Sequence, residues 1–131
     1  YLKESIMGYP VNGDLYALAI NCSKINLGLL QEKASGASSG DLTTARSFHI
    51  PGSGGFMLHE RSNEILSFYD EDKEISCFSS SDELVSKIEF YLKHDDKREE
   101  IAKHGYLRCT KENKHKNRAE LILKDFEKRT V

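Results

Sequence analysis

The chain has no Cys-x-x-Cys pair, and its three cysteines, Cys22, Cys77 and Cys109, are odd in number and far apart. That argues against a cysteine zinc site. Cys22 and Cys77 sit in apolar runs and read as reduced core residues, which fits a cytoplasmic protein. No apolar run approaches a membrane span, and no signal peptide is visible. His59, His94, His104 and His115 show no metal spacing and read as surface residues, so no metal is expected. Neither sign of charge is in large excess: the net charge of −2 gives no general pull towards nucleic acid or anionic lipid. No aromatic platform accompanies the basic residues, so no nucleic-acid partner is expected. There is no internal repeat, and residues 34–44 are the one low-complexity stretch.

What is present suits one domain or part of one, at 131 residues, 38% apolar and 31% charged. The chain opens on Tyr1 rather than Met and reads as part of a longer protein. Charge is unevenly spread. Residues 1–92 hold 7 basic and 13 acidic residues, whereas residues 93–131 hold 12 basic and 8 acidic. Glu and Asp interrupt every basic cluster, so the basic tail reads as a solvated helical face.

Strands and helices alternate along the first two thirds. Residues 4–9 read as a short strand ending at Pro10. Asp14 is placed to cap a helix through about Ser23, with Leu15, Leu18, Ala19 and Cys22 at helical spacing. Residues 25–30, INLGLL, read as a strand buried on both faces. A polar loop over 31–43 precedes a short helix from about Thr44 to Gly52. Residues 55–60, GFMLHE, form the next strand. Ser62 caps a helix through about Tyr69, and residues 74–78, EISCF, form a fourth strand. Ser80 and Glu83 make a capping-box pattern before a helix whose stripe is Leu84, Ile88, Tyr91 and Leu92. A second helix from Asp95 or Asp96 carries Ile101, Ala102 and Tyr106. A third, about 115–129, is expected to bury Ala119, Ile122 and Phe126. This order predicts an α/β fold, a Rossmann-like parallel sheet followed by C-terminal helices. Four strands are few for a doubly wound domain, which usually has about five or six.

The most informative stretch is residues 45–60, ARSFHIPGSGGFMLHE. A polar loop, a helix start and a buried strand follow in order. Open α/β sheets build a phosphate-binding edge this way, with backbone N–H groups aimed at one spot. The stretch resembles a pattern of group 1 glycosyltransferases of the spore-maturation (CgeB-like) type, roughly R-x-F-E-I-P-A-C-G-G-F-x-L-x-E. Here it reads Arg46, Phe48, His49, Ile50, Pro51, Gly52, Ser53, Gly54, Gly55, Phe56, Leu58 and Glu60. NCSKINLGLL resembles a family strand with its preceding helix. Ser81-Asp82-Glu83-Leu84 with Tyr91-Leu92, and Arg98, Ile101, Ala102 and Gly105, match later blocks. His115 and Arg118 sit near the family's closing element. The resemblance spans about residues 8–123.

The resemblance implies a GT-B architecture, two Rossmann-like domains facing across a cleft. Residues 1–131 would be a partial donor-binding domain, with a β/α core over 1–94 and helices over 95–131. It implies a nucleotide-sugar donor, an unknown acceptor, metal independence, a retaining outcome and no separate cofactor. The fragment alone is expected to be inactive.

The candidate donor-binding residues are Thr43, Thr44, Arg46, His49, Glu60 and Val11. Thr43 and Thr44 either hold the diphosphate or simply cap the helix. Arg46 pairs with a phosphate, with a cleft carboxylate, or in a surface salt bridge. His49 stands where the family has Glu, and a neutral imidazole binds one hydroxyl rather than a diol. A half-buried structural histidine is the alternative. Asp41, eight residues earlier, echoes a paired-carboxylate spacing of related enzymes. Pro51, Gly52, Gly54 and Gly55 are expected to stop the helix and turn the chain. Glu60 either contacts the sugar or caps the helix at 62. Gly8-Tyr9-Pro10-Val11 would border the nucleobase, or form a plain strand-end turn. No catalytic residue is identified. A non-catalytic Rossmann-like module is the second reading, and an exposed sheet edge would let two copies pair.

Overall fold

The computed structural model describes residues 11–30 and 42–129. The elements are α1 (Asp14–Cys22), β1 (Asn26–Gly28), α2 (Arg46–Gly52), β2 (Met57–Glu60), α3 (Asn63–Phe68), β3 (Ser76–Phe78), α4 (Ser81–Lys93), α5 (Asp95–Glu112) and α6 (His115–Arg129). The three described strands form one sheet in the order β1-β2-β3, parallel throughout. Leu27 pairs with Leu58, and His59 with Cys77. The strand expected at 4–9 lies outside the described residues.

Strand parity sorts the core into two layers. Met57 and Cys77 face one side, where Ile20, Ile50, Ile65, Tyr69, Ile75 and Cys109 pack. Leu58 and Phe78 face the other, against Phe56, Tyr91 and Ile101. Each such side chain, fully buried, contributes about 1.5–3 kcal/mol. β2 is therefore the sheet's dry centre, which is why its pattern is nearly continuous rather than alternating.

Local signals set the element ends. The hydroxyl of Ser62 accepts from Ile65 N–H (3.2 Å), the cap expected for α3. Ser80 does the same for Glu83 N–H (3.2 Å), while the Glu83 carboxylate accepts from Ser79 N–H (2.8 Å). α2 ends in a Schellman motif. Gly55 N–H reaches the Ile50 carbonyl (3.0 Å) and Gly54 N–H the Pro51 carbonyl (2.9 Å). Gly54 sits at φ 81°, a conformation that side chains disfavour. Pro51 lies inside the last turn of α2 rather than beyond it.

Several expectations of burial fail. Gly13, not Asp14, holds the cap position of α1. Leu15 and Leu18 are 66% and 58% exposed and Cys22 is exposed; Ile20 is the residue α1 buries. α1 docks through Ile20 and Tyr16, which lie on the other side of the helix from Leu15 and Leu18. β1 is an edge among the described strands, so Leu27 and Leu29 are exposed and only Gly28 is buried. Leu92 and Tyr106 are exposed, and α6 buries none of its residues, Ala119, Ile122 and Phe126 included. Arg98, by contrast, is buried against the Tyr91 carbonyl and Asp95, tying α5 to α4.

Ser62 also donates to the Leu42 carbonyl (3.0 Å), holding the approach to α2 against α3. Ser62→Ala should cost about 1 kcal/mol for the cap and about 1 kcal/mol for this second bond. Ser62→Asp should recover only the cap, because a carboxylate cannot donate. Urea denaturation of the two variants checks this; equal losses would contradict the double role.

Candidate functional site

The carboxyl ends of β1 and β2 meet the start of α2, and a chain of hydrogen bonds holds them together. Thr44 N–H donates to Ser47 Oγ (3.0 Å). Ser47 Oγ lies 2.9 Å from His59 Nε2, and His59 Nδ1 lies 2.6 Å from the Glu60 carbonyl. The carbonyl only accepts, so the proton sits on Nδ1 and the Ser47 hydroxyl donates to Nε2. His59 and Ser47 are fully buried. His59 is thus no surface residue: it shares the face of Met57, two positions earlier on the same strand. A methyl group on Gly28 would lie 2.3 Å from the His59 ring, so the bare glycine of β1 makes room for the imidazole. Strand parity was the signal that could have placed His59 inside.

Burial pushes the His59 pKa down, the nearby Arg46 charge adds to this, and the bond to the Glu60 carbonyl and the Glu60 charge partly oppose it. The ring is held neutral.

Around this lock the expected site residues divide. Thr43, Thr44 and His49 line a cleft of about 670 Å³ between α2 and the α5–α6 turn, with Phe48, Asn113, Lys114, His115 and Arg118. Neither threonine caps α2 through its side chain, since the cap position is Ala45. Thr43 Oγ1 instead donates to Glu64 (2.8 Å). Thr44 Oγ1 is buried and has no hydrogen-bond partner among the described residues, as does Asn113 Nδ2. An unmet polar atom of this kind costs about 1–3 kcal/mol. His49 is exposed, with its ring centroid 6.1 Å from that of Tyr16.

Arg46 and Glu60 stand on the β1 side. Arg46 is exposed and donates to the Leu29 carbonyl (3.4 Å), with no carboxylate in ion-pair reach among the described residues. The Glu60 carboxylate accepts from Leu30 N–H (3.2 Å), and Ser62, not Glu60, caps α3. Val11 is half-buried ahead of α1 and outside the cleft. Asp41 and Gly8-Tyr9-Pro10 lie outside the described residues. Among the described residues no cluster of His, Cys, Asp and Glu suits a metal ion, and no helix is long and apolar enough to cross a membrane.

A second charged group closes the carboxyl end of β2 on its β3 side. Arg61 is bonded to Glu71, Ser79 and Glu83, and Lys87 lies 3.6 Å from Glu71, Asp72 and Glu83. The bonds to Glu71 and then Glu83 raise the Arg61 pKa, so its charge is committed.

A family model described as glycosyl transferase-like matches residues 4–124. The chain belongs to that glycosyltransferase-like family. No curated protein and no solved structure matches it.

The lock predicts a pH dependence. The unfolded His59 takes a proton near its ordinary value of 6.5, while the folded ring resists until lower pH. Below 6.5 the unfolded state therefore binds more protons, and stability should fall as pH drops through this range. His59→Asn should flatten that part of the profile. An unchanged slope, measured by denaturation from pH 8 to pH 5, would contradict a neutral buried imidazole. Gly28→Ala should destabilise the fold by about 1–3 kcal/mol, because a fixed ring has nowhere to move.

Proposed function

We propose that this member of the glycosyltransferase-like family holds a nucleotide-sugar donor at the carboxyl edge of its sheet and takes part in moving the sugar to an acceptor. Family membership over residues 4–124 supports the class of reaction. The observation that carries the donor assignment is the position of α2. Thr43, Thr44, Arg46 and His49 cluster around its first turns, beside the ends of β1 and β2, where open parallel sheets take ligands.

Each residue then has a task. Arg46, exposed and without a carboxylate partner among the described residues, faces the diphosphate. As the anomeric C–O bond breaks, the diphosphate leaves with the electron pair, and a fixed guanidinium stabilises the growing charge. Thr43 and Thr44 hold phosphate oxygens. His49 binds one ribose hydroxyl. Glu60 meets the sugar and Val11 the base. The acceptor side belongs to a partner domain, so this chain alone is inactive. Hexosyl transfer, metal independence and the spore-maturation type rest on the motif at 45–60. A reducing, cytoplasmic setting is the reading that fits the three cysteines, all of them free thiols.

One observation favours a non-catalytic binding module: His49 replaces the carboxylate expected to grip a diol. Such a module would pair copies through β1, the edge among the described strands.

Thermal shift and calorimetry with nucleoside diphosphates and nucleotide sugars test the reading. One nucleotide should stabilise the protein by several degrees. Arg46→Ala should weaken it by about tenfold to a hundredfold, the range of a charge-assisted bond. No response to any nucleotide from the intact protein would favour the module.

A further inference from the structure

We propose that the cleft between α2 and the α5–α6 turn is a phosphoryl-binding subsite, with Lys114 and Arg118 as its cations. The occupant it favours is the diphosphate of the donor, so this part of the inference rests on the reading above.

The first argument is charge. Lys114 and Arg118 line the cleft, and among the described residues no carboxylate lines it, Glu64 being held just outside by Thr43. The chain holds 21 acidic and 19 basic residues, so an average lining would be mixed. The groove between Asp70 and Glu112 shows the ordinary case, with Lys73, Arg108 and Lys111 set among Asp70, Glu74 and Glu112. Within the helices, carboxylates absorb the neighbouring cations. Arg108 pairs with Glu112 (3.2 Å), Lys116 with Glu120 (3.9 Å) and Arg129 with Asp125 (2.9 Å). Lys114 and Arg118 have no ion pair among the described residues. Two unpaired cations of this segment therefore stand together at the cleft.

The second argument is preorganisation. Arg118 stacks over Phe48, 4.2 Å from the ring centroid, and lies 5.6 Å from that of Phe68. Stacking uses the face of the guanidinium and leaves its in-plane N–H donors for an oxyanion. Cys109 Sγ, bonded to the Phe48 carbonyl (3.4 Å), holds the end of α5 against α2 and sets the turn in place.

The third argument is independent of charge. Thr44 Oγ1 and Asn113 Nδ2, on opposite walls, are both buried donors with no acceptor among the described residues. A phosphoryl oxygen supplies the missing acceptor. Phe48 and Gly52 give the cleft an apolar wall, and its volume exceeds what a bare phosphate fills, which suits a phosphoryl group on an organic body.

Calorimetry at low salt on the purified protein tests this, with a panel of nucleoside diphosphates and inorganic pyrophosphate titrated separately. Lys114→Ala should weaken binding about tenfold and Lys114→Glu further, and added salt should shrink both differences. Arg118→Lys should retain more affinity than Arg118→Ala. Lys103→Ala, on the exposed face of α5, should bind as the parent does. Unchanged affinity in Lys114→Glu overturns the proposal. If nucleotides bind, Lys114→Glu is silent and Arg46→Ala weakens them, the cleft fails while the donor reading stands. If pyrophosphate binds and is lost in Lys114→Glu while no nucleotide binds, the cleft is a phosphoryl site and the donor reading fails.

Discussion

The geometry of the candidate site depends on one buried imidazole. His59, next to last on the central strand, puts a polar ring in the fully buried core, and such a ring must find two partners. It finds them in the Glu60 carbonyl and the Ser47 hydroxyl, and Ser47 in turn takes Thr44 N–H. That chain fastens the first turn of α2 to the end of β2. α2 has only seven residues and little helical stability of its own. Packing and this relay, rather than helix propensity, decide where Thr44 and Arg46 stand. Gly28 completes the arrangement from the neighbouring strand by leaving the ring its space.

Neutrality of the ring matters as much as its bonds. A protonated His59 would carry two donors, facing the Ser47 hydroxyl with a charge and standing near Arg46. Burial opposes this, and so keeps the Ser47 hydroxyl donating to Nε2 while its oxygen accepts from Thr44 N–H. Among the described residues, the exposed cation at the sheet's edge on the β1 side is then Arg46. Arg61 is nearby in sequence and equally basic, yet Glu71 and Glu83 hold its charge. Counting arginines along the sequence would treat the two alike; their partners separate them.

The alternation of elements, the parallel sheet and both serine caps were legible in the sequence, because local signals determine them: hydrophobic runs, capping hydroxyls and the glycine turn after Pro51. What was not legible was which side of a helix packs. Leu15, Leu18 and Cys22 recur at helical spacing, yet α1 docks through Ile20 and Tyr16. Periodicity establishes a helix and cannot say which side meets the sheet when both sides carry apolar residues. α6 failed in the same way, its apolar residues standing exposed. His59 was misplaced for a different reason. A histidine read by type is a surface residue; read by parity in a strand buried on both faces, it is a core residue needing partners.

The site residues expected from the motif divide across α2, and the division has a physical reading. Thr43, Thr44 and His49 open to the α5–α6 side, whereas Arg46 and Glu60 face the end of β1. Seven residues of helix span only about 10 Å, so the two flanks lie within reach of one extended ligand. An anion lying over the first turn of α2 feels Arg46 from one flank and Lys114 and Arg118 from the other. His49 adds no negative charge to the flank where Lys114 and Arg118 have no ion pair among the described residues, so the local field on that side of α2 stays positive.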